Sequence, residues 1–181
     1  YVYGGLQDNG SWGGPTQNPI NGGVSFKDWY QVGGGDGFHV QVDPSDWRTI
    51  YSESQGGAIG RLNVQTGARG FIRPRPAQGK TYRFNWSSPM LISPHNSSTI
   101  YFGGNYLFKS VNRGDVWKVI SPDLSTNDPT KIISATNPSG GVSTEDTGAE
   151  RHCTIITISE SPRTQGLLWV GTDDGLVWVS K

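Results

Sequence analysis

The chain has 181 residues, with 15 Lys plus Arg against 15 Asp plus Glu, so its formal net charge is zero. That length suits one domain or part of a larger one, and a neutral chain carries no electrostatic footprint for nucleic acid or an anionic membrane. Gly and Pro make up about a fifth of the residues, yet seven Trp, seven Tyr and six Phe supply the apolar surface that a disordered chain lacks.

Dense turn residues alongside dense aromatics predict many short strands and an all-β class. No apolar run reaches the roughly 18 residues of a membrane span, so none is expected. The single Cys153 rules out an internal disulfide and a multi-cysteine metal site. Low charge and three N-x-S sequons, at Asn9, Asn85 and Asn96, lean towards an extracellular or cell-envelope location.

Taken in chain order, the predicted elements repeat. Tyr1-Val2-Tyr3-Gly4-Gly5 reads as a strand. Val40-Gln41-Val42-Asp43-Pro44 leads through a polar turn to Thr49-Ile50-Tyr51-Ser52, and Ile59 to Val64 follows as a third strand. Met90-Leu91-Ile92-Ser93-Pro94 leads likewise to Thr99-Ile100-Tyr101-Phe102, then to Leu107–Val111 and a fourth strand at Val116–Ile120. The polar stretch from Ser121 to Glu150 reads as a long loop with at most one short strand at Lys131-Ile132-Ile133. Ile156-Thr157-Ile158-Ser159-Glu160-Ser161-Pro162 then leads to Leu167-Leu168-Trp169-Val170, with Leu176–Ser180 beyond. Pro cannot donate to a ladder, so it marks a strand end in each unit. No sustained helical periodicity is present.

Tyr3, Tyr51, Tyr101 and Trp169 hold matching places, spaced by 48, 50 and 68 residues. Four short strands in about 50 residues is the period of a β-propeller blade. A two-sheet sandwich has similar turn spacing, but its strands need not recur in register, so the repeat favours the propeller. The expected fold is an all-β, partial propeller of about three and a half four-stranded blades. Its approximate units are 1–32, 33–79, 80–149 (with a loop at 121–150) and 150–181.

The stretch Ser110-Val111-Asn112-Arg113-Gly114-Asp115-Val116-Trp117 resembles the Asp-box, or bacterial neuraminidase repeat, whose pattern is Ser/Thr-x-Asp-x-Gly-x-Thr-Trp. Here Asn112 stands for the usual Asp and Val116 for the usual Thr. Asn112 can still accept backbone N–H bonds inside its own turn, Gly114 permits a positive φ, and Trp117 can plug the hairpin. These four residues, Ser110, Asn112, Gly114 and Trp117, are expected to be structural. Further segments are similar to large secreted bacterial proteins with sortilin-like propellers: Gly5-Leu6-Gln7-Asp8-Asn9-Gly10-Ser11-Trp12, Gly35-Asp36-Gly37-Phe38, Ser52-Glu53-Ser54-Gln55-Gly56-Gly57, Phe84-Asn85-Trp86-Ser87-Ser88-Pro89, Ser121-Pro122-Asp123-Leu124 and Gly171-Thr172-Asp173-Asp174-Gly175. Such proteins are often labelled glycosyl hydrolase or sialidase-like. The resemblance implies an internal piece of a larger ring, completed by the remainder of the propeller or by self-association through open blade edges.

It also implies that loops before each first strand and loops joining second to third strands share one rim. That rim would gather Asp8, Asn9, Asp36, His39, Gln55, Arg83, Asn105, Arg151, His152, Asp173 and Asp174, with Lys80 and Glu150 beside them. Converging polar groups around a concave mouth make a ligand site. The same residues have a plainer use: Asp8-Asn9-Gly10 and Asp173-Asp174-Gly175 are also strong hairpin-turn signals, and His39 and His152 could equally be satisfied core residues.

Glycosidases need two carboxylates across the scissile bond. Asp36, Asp173 and Asp174 are the catalytic candidates; a sialidase would need an Arg cluster and a Tyr nucleophile with a Glu partner, and the Arg residues do not sit at matching loop positions in successive units. No cofactor is expected, with Ca²⁺ at the Asp36 or Asp173–Asp174 loops as the exception, since hard cations take oxygen ligands. The leading expectation is a non-catalytic module binding a glycan or peptide on the rim. The alternatives are part of a glycoside hydrolase, with its remaining carboxylates elsewhere, and an assembly scaffold.

Overall fold

The computed structural model describes residues 1–20, 22–77, 81–129, 131–132 and 152–180. Among them the fold is all-β, with one 3-10 turn at Phe26–Asp28. Fourteen strands form four antiparallel sheets, each a meander of sequence-consecutive strands. Sheet 1 holds β1 (Val2–Leu6), β2 (Gly10–Gly14) and β3 (Tyr30–Gly33). Sheet 2 holds β4 (Gly37–Val42), β5 (Thr49–Ser54), β6 (Ala58–Asn63) and β7 (Arg69–Phe71). Sheet 3 holds β8 (Met90–Ile92), β9 (Ile100–Gly103), β10 (Leu107–Ser110) and β11 (Lys118–Val119). Sheet 4 holds β12 (Ile155–Glu160), β13 (Leu168–Thr172) and β14 (Val177–Val179).

Registers repeat from sheet to sheet. Tyr51 lies between Gln41 and Arg61, Tyr101 between Leu91 and Lys109, and Trp169 between Ser159 and Val179, while Tyr3 pairs with Gly13. The first hairpins repeat too. Asp43, Ser93 and Ser161 each donate backbone N–H across the turn, to Thr49, Thr99 and Leu167. Each also accepts a backbone N–H two residues on, from Ser45, His95 and Arg163. These are Asx and Ser turns, set by a short side-chain acceptor beside a proline. β4 and β12 carry the same one-residue bulge near their start.

Alternation along each strand gives every sheet two apolar faces. The face bearing Tyr3, Tyr51 or Tyr101 packs on the other face of the next sheet. Tyr3, Tyr30 and Val32 meet Ile50 and Leu62. Tyr51, Ile59 and Ile72 meet Met90, Ile100, Phe102 and Phe108. Tyr101 and Leu107 meet Ile155, Leu168 and Val170. Each buried aromatic or aliphatic side chain contributes about 1.5–3 kcal/mol of transfer free energy, so these seams dominate the fold's cohesion. Gly5 and Gly103 permit the close approach: a Cβ at Gly5 would collide with the backbone of Gly37, and one at Gly103 would meet Pro89 and Ile155.

Some expectations need correction. A fourth strand is not confined to the third unit, because Arg69–Phe71 adds one to sheet 2. Sheet 1 also gains strands in the Gly-rich segment 10–14 and at Tyr30–Gly33. The strand at Lys131-Ile132-Ile133 is not formed at Lys131 and Ile132, whose N–H groups close a turn on the Asp128 carbonyl; Ile133 lies outside the described residues. The fourth strand expected over Val116–Ile120 shortens to Lys118–Val119, since residues 111–116 belong to the turn.

Candidate functional site

In an antiparallel meander, the loop before the first strand and the loop joining second to third lie at one end. Hydrogen bonds tie these loops together in three sheets by one device. The first side chain after the second strand accepts a backbone N–H from the segment before the first strand. Gln55 Oε1 accepts from Asp36 N at 2.8 Å, Asn105 Oδ1 from Arg83 N at 2.9 Å, and Asp173 Oδ1 from Thr154 N at 3.0 Å. In the last two, the return bond is also made, from Asn105 N to the Arg83 carbonyl and from Asp173 N to the Thr154 carbonyl. A buried unpaired N–H costs about 1–3 kcal/mol, which each latch avoids.

The other expected rim residues sort around these latches. Asp36 is buried and its Oδ1 accepts the Asp8 N–H at 2.8 Å, joining the first hairpin turn to sheet 2. Asp8 itself sits at φ 63° in that turn, and Asn9 beside it is exposed. Arg83 pairs with Asp123 at 2.8 Å, and Asn105 donates to the same carboxylate. Burial works against the Asp123 charge, but bonds from Ser125 and Asn105 outweigh it and leave its pKa lowered. Asp174 accepts from Thr172 and Thr126; against the cost of burial, these bonds hold its carboxyl at about 2. His39 is half-buried, and burial lowers its pKa, favouring neutral imidazole. His152 is exposed. Arg151, Glu150 and Lys80 lie outside the described residues. The described candidates thus share one end of the sheets, and most of their acceptor atoms hold loop backbone.

At the opposite end, Ser110 Oγ accepts from Gly114 N at 2.9 Å and Asn112 Oδ1 accepts from Val116 N at 2.9 Å. Arg113 and Gly114 take positive φ, 60° and 90°, and Trp117 Nε1 donates to the Ile72 carbonyl. Arg113 Nε reaches the fully buried Asp43 carboxylate at 2.8 Å, binding this turn to the first hairpin of sheet 2. Asn112 works here as a neutral acceptor, which suffices because its partners are a backbone N–H and a hydroxyl.

The same end holds a feature that the sequence reading missed. A cleft of about 700 Å³ opens between sheets 1 and 2, walled by Tyr1, Tyr3, Tyr30 and Trp47 and floored by Leu62 and Val64. Gln31 and Arg69 supply its polar groups. The Tyr3 and Tyr30 hydroxyls are 2.6 Å apart and their rings meet edge to face. Burial and the Tyr3 hydroxyl raise the Tyr30 pKa, so the Tyr30 phenol stays neutral and can donate or accept. Trp47 is 67 % exposed and Tyr1 75 % exposed, an unusual outlay of aromatic surface to water. The volume falls in the range of small-molecule sites, about 300–1,000 Å³. These residues come from four distant segments, so no local pattern announces them.

Set against known proteins, the chain matches no family model and no curated protein.

Proposed function

We propose that the four meanders are blades of a propeller-like arrangement and that the chain is a non-catalytic module binding a neutral glycan. Equivalent registers, equivalent hairpin turns and serial sheet stacking support the first part. The observation that carries the second is the aromatic cleft between sheets 1 and 2. Exposed indole and phenol faces complement the apolar faces of pyranose rings, and Gln31, Arg69 and the tyrosine hydroxyls complement ring hydroxyls. A neutral chain with one cleft cation suits an uncharged sugar better than a polyanion. The rim at the opposite end is the second reading, favoured by the exposure of Asp8, Asn9 and His152.

Titration of the chain with a panel of neutral oligosaccharides, followed by calorimetry, tests the proposal. Trp47→Ala is expected to weaken binding at least about tenfold, or 1.4 kcal/mol, with the far-ultraviolet spectrum unchanged. Asp8→Ala with Asn9→Ala is expected to leave binding intact. Loss of binding in the rim variant alone moves the site to the rim. Binding only of peptides, or no binding at all, defeats the glycan reading.

A further inference from the structure

The aromatic cleft is one end of a longer groove. One wall is the edge strand β3, and the floor is the face of sheet 2 that carries Ile50, Ser52 and Ser54. Cross-strand pairing sets three rows on that floor: Ile50 with Leu62 and Arg69, Ser52 with Gly60 and Phe71, and Ser54 with Ala58. Leu62 and Arg69 border the cleft and also a trough of about 280 Å³ beyond it, which lies over the other two rows beside Val32, Gly33 and Gly34. From Ile50 to Ser54 the floor runs about 13 Å, at roughly 3.3 Å per strand residue.

The trough exists because its central row is built small. In sheet 3 the equivalent row is Phe102, Phe108 and Val119, with both phenylalanines buried, and in sheet 4 it is Val170 and Trp178. Buried rings of this kind hold the seam between sheets 2 and 3 together, and sheet 2 forgoes that gain at Ser52 and Gly60. Nor does the backbone demand a glycine there. Gly60 lies inside a strand without a positive φ, and a Cβ on it would meet only the Gly70 carbonyl oxygen, at an ordinary 3.6 Å. A strand glycine with such room above it marks a place for close approach by something outside the chain.

The trough continues the chemistry of the cleft. Phe71 offers a ring that is 60 % exposed, and Ser52 and Ser54 offer hydroxyls. Arg69 stands where cleft and trough meet. Its guanidinium donates to the Val32 carbonyl at 3.2 Å and to the Gln31 carbonyl at 3.5 Å, which fixes it against β3 with further N–H donors to offer. We propose that the site takes a linear neutral oligosaccharide, with one end in the aromatic cleft and the following rings laid past Arg69, over Gly60 and against Phe71. The ligand class is a chain of several sugar units rather than a monosaccharide. This length and direction rest on the glycan reading of the cleft.

Calorimetric titration with cello-, manno- and malto-oligosaccharides of one to six units tests the proposal. In a series that binds, affinity is expected to rise at least about tenfold from the shortest ligand bound to the six-unit chain. Gly60→Val puts a side chain into the trough and suits a strand. It is expected to keep the far-ultraviolet spectrum and to hold the six-unit chain no more tightly than the wild type holds the shortest. Phe71→Ala, at an exposed edge position, is expected to reduce the same gain. Equal affinity at every length in the wild type overturns the trough and leaves the cleft reading in place. So does a full length gain in Phe71→Ala or in folded Gly60→Val. Absence of binding at every length, or binding that Trp47→Ala leaves unchanged, defeats the cleft reading and this proposal with it.

Discussion

Glu53 places a carboxyl inside the core between sheets 2 and 3. It occupies the seat that Gly5, Gly103 and Gly171 hold in the other sheets, next to the central aromatic of the second strand. Its side chain is fully buried, accepts the Ser88 N–H at 3.0 Å, and its Oε2 has no partner among the described residues. Burial pushes its pKa to about 8, against the pull of backbone N–H bonds from Ser88, Gly57 and His39. In the unfolded chain the group ionises near 4.5, so between about 4.5 and about 8 folding retains a proton that unfolding releases. The contribution of Glu53 to stability is then greatest below about 4.5, falls as pH rises through this window, and stays reduced above about 8. Glu53→Gln keeps an acceptor without a charge. Denaturation curves are expected to show little change at pH 4 and a gain of a few kcal/mol at pH 9, since each pKa unit is worth about 1.4 kcal/mol. A variant retaining the wild-type slope would remove Glu53 as its source.

The turn at Ser110–Trp117 illustrates what an element can hold with short side chains. Its tightness comes from Ser110 and Asn112 accepting N–H groups that point inward, and from Gly114, where a Cβ would meet Ile72. Asn112→Ala removes the acceptor for Val116 N–H and for the Ser110 hydroxyl together. It is expected to cost about 1–3 kcal/mol in chemical denaturation, whereas Asn112→Asp keeps both bonds and should cost far less. The hairpins at Asp43, Ser93 and Ser161 were readable in the sequence for the same reason: an Asx or Ser acceptor beside a proline acts within a few residues. Strand Arg69–Phe71 was not readable, because three residues with no alternation form a strand only when β6 offers its edge. Gly10–Gly14 was hidden likewise, its glycines reading as turn while close packing at Gly13 and Gly14 against Tyr3 and Trp29 is what uses them.

At the scale of the whole molecule, polar ties cross the apolar seams. Gln41 clamps β8 by donating to the Met90 carbonyl and accepting from Ile92 N, both at 2.8 Å. Tyr101 donates to Glu160 of sheet 4 at 3.2 Å, while the Tyr51 hydroxyl in the equivalent seat is buried without a partner among the described residues. Its counterpart of Glu160 across the seam is apolar Ile92. Equal side chains thus have unequal worth. Tyr101→Phe is expected to lower stability by about 1–2 kcal/mol, and Tyr51→Phe to be neutral or slightly stabilising, since it removes an unsatisfied hydroxyl. Equal losses at both positions in thermal unfolding would contradict this account of the seams.

The amino-acid order by itself determined the all-β class, the repeating first hairpins and the shared seat of Tyr3, Tyr51, Tyr101 and Trp169, because turns and alternation are written within a few residues. It also placed Gln55, Asn105 and Asp173 in equivalent loops. Only the tertiary structure decided that their acceptor atoms hold neighbouring backbone, that Glu53 is sealed from water, and that Tyr1, Tyr30 and Trp47 wall one cleft. Those outcomes depend on which sheet faces meet, and that is settled by contacts between residues far apart along the chain.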